Sequence, residues 1–414
     1  MKKTRLSGPN RRDVLRAGLS GMSVAAGTAL RVGVFGRAAA ALAAEAESNG
    51  KILVVLELSG GNDGLNTLVP YADDRYYKLR PNIGIPKKSL RTIDDHFGFS
   101  RGMVGFDRLY KDGKLAIVHG CGYENPSFSH FTSMAYWQTA APNSGEQYGW
   151  VGRLADSMAP DAPANYLVNI GAQQSLAVRS RRHVPVVFDD PNKFSRESFA
   201  EEKEVLDTNQ SRDREGADNP SRNFLLEIAR SAKDASSLVQ QAWSKYHSPV
   251  DYGVTGLDLP KVVALIEAGF PTRLYYTSYR NNAFDTHVFQ NDTHQRLLTY
   301  ASDAVSAFLM DLKRIGRADD VVVMIFSEFG RRVPENSNLG TDHGAANLMF
   351  VTGTKVKGGH YGEIPSLSKL DEGDNLVYTT DFRRVYATMI AGWLGYRDTR
   401  GLLNGEFETF GMFA

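Results

Sequence analysis

Five short segments carry residue types and spacings that can do chemistry. In Ser59-Gly-Gly-Asn-Asp-Gly-Leu-Asn66, glycines let the backbone turn sharply and bring the Asp63 carboxylate above the end of an apolar run. Asn125-Pro-Ser-Phe-Ser-His-Phe131 offers Ser127 and Ser129 at the start of a helical-looking stretch, where backbone N–H groups favour an anion and a metal can lower a hydroxyl pKa. In Phe284-Asp-Thr-His287, residues two apart on an extended backbone point to one side, so Asp285 and His287 can reach a single ion. The hydrophobic run from Val321 delivers Glu328 at its end, followed by Gly330 and Arg331; a carboxylate there needs a metal or an ion-pair partner. Gly340-Thr-Asp-His-Gly344 places Asp342 beside His343, as a ligand and its outer partner or as ligands to two ions. His343 is the direct ligand of that pair.

Each segment has a plainer reading: a turn at Asp63, an N-cap at Ser127 or Ser129, an ion pair at Asp285, Glu328 paired to Arg331, and a capped turn at Asp342. Their recurrence after apolar strands or between glycines makes independent accidents a poor explanation. Oxygen and imidazole ligands suit Zn, Mn, Mg, Ca or Fe, and types alone do not choose among them. Cys121 is the sole cysteine, which excludes an intrachain disulfide and a thiolate cluster.

These residues need elements to position them. Apolar runs at Lys51–Leu58, Leu115–His119, Tyr166–Ile170, Val184–Phe188, Arg273–Tyr279, Val321–Phe326 and Leu348–Thr352 read as strands. Between them, Leu297, Leu298, Ala301, Val305, Phe308, Leu309 and Leu312 recur at three- and four-residue steps and predict a helix from Gln290 to Ile315. A second helix is expected to be capped near Thr380-Asp381 and to run to Gly395. This alternation predicts an α/β fold, a large mostly parallel β-sheet with helices on both faces and functional loops at the carboxyl ends of its strands.

The 414 residues, 42% hydrophobic and 23% charged, suffice for a large folded domain, and a net charge of +1 gives no reason to expect nucleic acid as a partner. Lys2, Lys3 and Arg5, then Arg11-Arg12-Asp13-Val14-Leu15 and a Gly- and Ala-rich stretch, form a twin-arginine signal pattern over residues 1–46. Arg31 and Arg37 interrupt that stretch, so no stable membrane span is expected in the mature form. The protein is expected to use the twin-arginine export machinery and to reach the periplasm or the exterior. Residues 47–414 read as a single domain with a polar insertion near 196–223.

Leu58-Ser-Gly-Gly-Asn-Asp-Gly-Leu-Asn66, Ser129-His-Phe131, Trp137-Gln-Thr-Ala140, Gly149-Trp-Val-Gly-Arg153, Phe284-Asp-Thr-His287, Ser327-Glu-Phe-Gly-Arg331, Gly340-Thr-Asp-His-Gly344 and Asp381-Phe-Arg-Arg-Val-Tyr386 together resemble the exported, sulfatase-like domain-of-unknown-function family 1501 of the alkaline phosphatase superfamily. The resemblance implies an alkaline-phosphatase-like fold and one or two divalent metal ions. It implies Asp63, Ser129 and Glu328 around one ion, and Asp285, His287 and His343 around the other, with Asp342 beside them. Ser129 would be the nucleophile and Arg331 would hold non-bridging oxygens of a phosphoryl or sulfuryl centre. The implied activity is hydrolysis of a small-molecule or glycan ester of phosphate or sulfate. Alternatives are phosphoryl transfer or mutase chemistry, and an exported binding or assembly protein without turnover.

Two departures stand out. The superfamily commonly ends a strand with Asp-His, whereas this one ends in Glu328-Phe329, so an imidazole is missing there; alternatively Asp342-His343 is that pair and His360 supplies the last ligand. Neither serine lies in the Cys/Ser-x-Pro-x-Arg signature of formylglycine sulfatases.

Overall fold

A computed structural model describes residues 50–160, 165–194 and 235–413. The signal pattern and the polar insertion lie outside these residues. Gly50–Ala414 form one compact unit, to which everything below belongs.

Its centre is a nine-stranded sheet. The strands are β1 (Ile52–Leu58), β2 (Leu115–Gly122), β3 (Leu167–Ile170), β4 (Val186–Phe188), β5 (Leu274–Tyr279), β6 (Val321–Phe326), β7 (Asn347–Thr352), β8 (Gly359–Tyr361) and β9 (Thr380–Asp381). Their order is β8-β2-β7-β6-β1-β5-β3-β4, with β9 also pairing to β2. All these pairings are parallel except those of β7, which runs antiparallel to both β2 and β6.

Every residue of β1 is buried because both faces of the sheet are covered. Alternate side chains enter separate cores: Val54, Leu56 and Leu58 on one side, Leu53 and Val55 on the other. The first face is covered by helices that include α4 (Leu259–Glu267) and α5 (Gln290–Arg314), whose Leu298, Val305, Phe308 and Leu312 form the buried stripe. The second carries α2 (His130–Thr139) and α3 (Trp150–Met158), with Trp137 and Trp150 buried between helix and sheet. Among the described residues, no helix is long and apolar enough to cross a membrane.

The predicted helix near Thr380 is corrected. Thr380 and Asp381 pair with β2 as a strand, and the helix begins at Arg383, continuing after Ala387 as a π-helical segment to Trp393. Asp381 still accepts the Arg383 N–H at 2.9 Å, which is the capping tendency that the sequence displays.

Candidate metal centre

Loops leaving parallel strands at their carboxyl ends assemble the site. After β1 the chain passes through Gly60 and Gly61, at φ +116° and +71°, conformations that favour glycine. A Cβ on Gly60 would lie 2.5 Å from Asp285 N, and one on Gly61 2.2 Å from the Phe329 ring, so both glycines are required by close approach. The amides of Gly60 and Gly61 donate to the Glu328 carboxylate at 2.8 and 3.0 Å. Glu328 is fully buried.

The Ser327 hydroxyl also donates to the Glu328 carboxylate, at 3.0 Å, and a fourth donor is an imidazole. His130 Nδ1 lies 2.8 Å from Glu328 Oε1, and its Nε2 turns toward Asp285 Oδ2 at 3.4 Å with no hydrogen-bond partner. Its bond to Glu328, together with the Glu328 and Asp285 charges, raises the His130 pKa against the opposing effect of burial. Two other histidines repeat the arrangement. His343 Nδ1 faces the Phe128 carbonyl at 2.7 Å, and its Nε2 lies 3.1 Å from Asp285 Oδ1. His287 Nδ1 faces Asp342 Oδ1 at 3.3 Å, and its Nε2 lies 3.0 Å from the same Asp285 oxygen.

The outer partners decide the proton positions. Carbonyls and carboxylates only accept, so each Nδ1 carries the hydrogen and each neutral ring presents an Nε2 lone pair inward. Nε2 of His287 and Nε2 of His343 are 2.9 Å apart, with the Asp285 carboxylate between them and His130. Acceptors that converge in this way repel unless a cation or added proton lies among them. Ligand atoms of His130, Asp285 and His343 all lie within 4.8 Å of one another, the spread of a set that can hold one metal ion. Imidazoles tied by their outer nitrogens to fixed acceptors are how protein sites orient histidine ligands.

Asp285 is held in its charged form. Burial favours the neutral acid, but the Arg331 guanidinium, which donates to it at 2.8 Å and adds a positive charge, prevails and lowers its pKa to about 2. His343 is shifted down, chiefly by burial, which keeps it neutral and available as a ligand. Asp342 is half exposed, accepts from Asn336 at 3.1 Å and acts as outer partner to His287.

The structure redistributes the expected roles. Asp285, His287 and His343 come together, while Glu328 stands behind His130 as its partner instead of joining the converging Nε2 atoms. Asp63, expected as a ligand, is corrected to a structural carboxylate: it is buried, accepts from Arg80 at 2.7 Å and from Gln290 at 2.5 Å, and caps α1 (Gly64–Thr67) through Leu65 and Asn66. The set Asp63, Ser129 and Glu328 is therefore not assembled, and among the described residues one cluster fits an ion. Arg331, expected to hold substrate oxygens, is fully buried with its donors turned to Gly60 O, Gly61 O, Phe284 O, Thr341 O and Asp285. It fastens three loops, and its Nη1 also comes to 3.5 Å from His287 Nε2, which accounts for the remaining N–H. Ser129 is exposed and caps α2, accepting from Thr132 N–H at 3.5 Å; Ser127 Oγ accepts from Ser129 N–H at 3.3 Å. His360 is bonded elsewhere, to His119 and Asp94.

His130 is the residue that sequence reasoning passed over. Phe329, where the resemblance calls for an imidazole, is buried with its ring 4.9 Å from that of His130 and 4.6 Å from that of His343. It walls the imidazoles, and His130 enters from the start of α2. The available signal was a histidine beside Ser129 in a loop that follows a strand.

Residues 262–391 match the model of the family described as "Protein of unknown function (DUF1501)". This is the family that the motifs resemble. The DUF1501 match takes in Asp285, His287, Glu328, Arg331, Asp342 and His343, and begins after Asp63 and His130. No curated protein matches the chain in sequence. Among solved structures, the chain is similar to the lipoteichoic acid synthase LtaP from Listeria monocytogenes, at 12% identity and a TM-score of 0.38, over 81% of this chain and 76% of that one. It is also similar to the C-terminal periplasmic domain of EcEptC from Escherichia coli, at 11% identity and 0.39, over 87% and 88%. A complex of that domain with Zn gives 11% identity and 0.35, over 73% of each chain.

Proposed function

We propose that this chain is an exported metal-dependent hydrolase of phosphate or sulfate esters, with one divalent cation held by Asp285, His130 and His343 and flanked by His287. The observation that carries this reading is the convergence of three imidazole Nε2 atoms on Asp285 while each Nδ1 is tied to a fixed acceptor. When bound, such a cation stabilises negative charge on an ester oxygen. Glu328, Asp342 and the Phe128 carbonyl take the Nδ1 hydrogens and so keep each Nε2 aimed inward, and the Phe329 ring backs the imidazoles of His130 and His343. Ser129, one residue before His130 and exposed, is the proposed nucleophile, as the family resemblance suggests.

The test is metal analysis of the purified protein by inductively coupled plasma mass spectrometry, with a panel of phosphomonoesters, phosphodiesters and sulfate esters. The reading requires about one metal per chain and turnover that disappears in His130→Ala and Ser129→Ala. Metal without turnover on any ester would favour a second reading, a metal-holding binding protein. One observation supports that rival: among the described residues no base lies against the Ser129 hydroxyl.

A further inference from the structure

A second constellation uses different imidazoles, in a cavity whose lining also includes Arg331. His119 in β2 and His360 in β8 stack with centroids 5.0 Å apart and rings inclined by 20°, and His119 Nε2 lies 2.7 Å from His360 Nδ1. His360 Nε2 meets Asp94 Oδ2 at 2.9 Å. The other oxygen of Asp94 accepts the amides of His96 and Phe97 at 2.7 and 2.6 Å, so the turn fixes its orientation. Phe97 packs against both imidazoles, with centroids 5.4 and 5.5 Å away.

All four residues line a cavity of about 430 Å³ whose remaining wall is mainly apolar, with Leu65, Leu68, Leu348 and Leu367 among its side chains. That volume falls in the range of small-molecule sites, and an apolar wall with a few fixed polar groups is their usual make-up. The polar chain has a direction. The Asp94 carboxylate accepts, so His360 Nε2 carries the ring hydrogen and Nδ1 accepts, which makes His119 Nε2 the donor across the 2.7 Å contact. Nδ1 of His119 is left as an acceptor, and it has no hydrogen-bond partner among the described residues. Burial, reinforced by His360, pushes the His119 pKa down to about 3 and keeps the ring neutral.

We infer that this cavity binds a small, predominantly apolar molecule carrying one hydroxyl donor, such as a phenol, with its body against the leucines and Phe97 and its O–H directed to His119 Nδ1. A buried acceptor rejects a donor-free analogue of the same shape, because the nitrogen then loses water without gaining a partner. Nothing in this inference depends on the metal centre.

The experiment uses the full chain kept in excess chelator, so its outcome does not depend on whether the metal reading holds. Binding of 2-naphthol and of its methyl ether, 2-methoxynaphthalene, is compared by fluorescence titration in wild type and in His119→Phe. The expected result is 2-naphthol binding roughly tenfold tighter than the ether in wild type, with the preference lost in the variant. No binding of 2-naphthol, equal binding of the two probes to wild type, or an unchanged preference in His119→Phe would overturn the proposal. If the variant fails to fold by circular dichroism, nitrogen-15 spectra of the wild-type histidines decide: 2-naphthol must shift the His119 Nδ1 resonance and the ether must not, and an unmoved resonance rejects the site.

Discussion

His130 and Glu328 form a buried imidazole–carboxylate pair, with Nδ1 and Oε1 2.8 Å apart, that turns the second ring nitrogen toward Asp285. The pair converts a carboxylate that leaves a strand into the orienting partner of a ligand from a different loop. Glu328→Gln preserves the shape but offers an amide where Gly60, Gly61 and His130 all donate. Metal affinity is expected to fall by about 10–100-fold, as for outer partners generally, measured by competition with a chromophoric chelator. Unchanged affinity would remove Glu328 from this role.

Asp63 and Asp285 are expected to fail in opposite ways. Asp63→Asn leaves Arg80 buried without its counter-charge, so unfolding in urea should show a loss of about 3–5 kcal/mol. Its metal content should be retained. Asp285→Asn should lose the metal with a folded circular dichroism spectrum. Metal loss in Asp63→Asn with unchanged stability would restore Asp63 as a ligand.

Arg331→Lys is expected to behave as a stability variant. The guanidinium satisfies carbonyls of three loops, and an ammonium cannot reach them all, so a loss of about 2–5 kcal/mol is predicted from buried acceptors left unpaired. Denaturant midpoints would show it. A variant as stable as the wild type but with a raised KM would mean that Arg331 binds substrate instead.

The metal-free protein should show a specific pH dependence. His130 has a raised pKa in the folded state, so its contribution to stability is fully present below the ordinary histidine value of 6.5 and is lost as pH rises through the higher folded value. Asp285 works in the other sense: its contribution is present above 3.8 and is lost as pH falls through about 2. Thermal melts of chelated wild type and His130→Asn, from about pH 5 to 9, should therefore converge toward the alkaline end. Metal affinity should rise over the same interval, since the ion competes with a proton at Nε2. A stability difference that does not vary with pH would contradict both.

Much of the fold is legible because buried parallel strands read as continuous β-branched runs. Val321–Phe326 has the same bounds in sequence and structure, and α5 ends one residue before the predicted Ile315. The short pairing of Thr380–Asp381 was not legible, since a residue that can cap a helix can also close a strand, and only the neighbouring β2 decides. At the site, the family resemblance put Asp285, His287 and His343 in one set, and their side chains lie together. It made Glu328 a ligand and passed over His130, because sequence shows which residue leaves a strand and not which of two facing side chains points inward. Arg80, the buried cation that pairs with Asp63, lies 17 residues further along with no pattern to link them.

Within the nine-stranded sheet, β7 is the one described strand that runs antiparallel to its neighbours, with a consequence for how the protein is made. Asp285 and Glu328 follow their strands, but His343 precedes its own, and β7 enters between β2 and β6 from near the end of the chain. A growing polypeptide that has left the ribosome only as far as Ala346 holds every proposed ligand yet has its sheet in two unjoined parts. Completion of the proposed centre thus waits for the residues of β7, and a product terminated before Asn347 lacks the strand that joins the two parts.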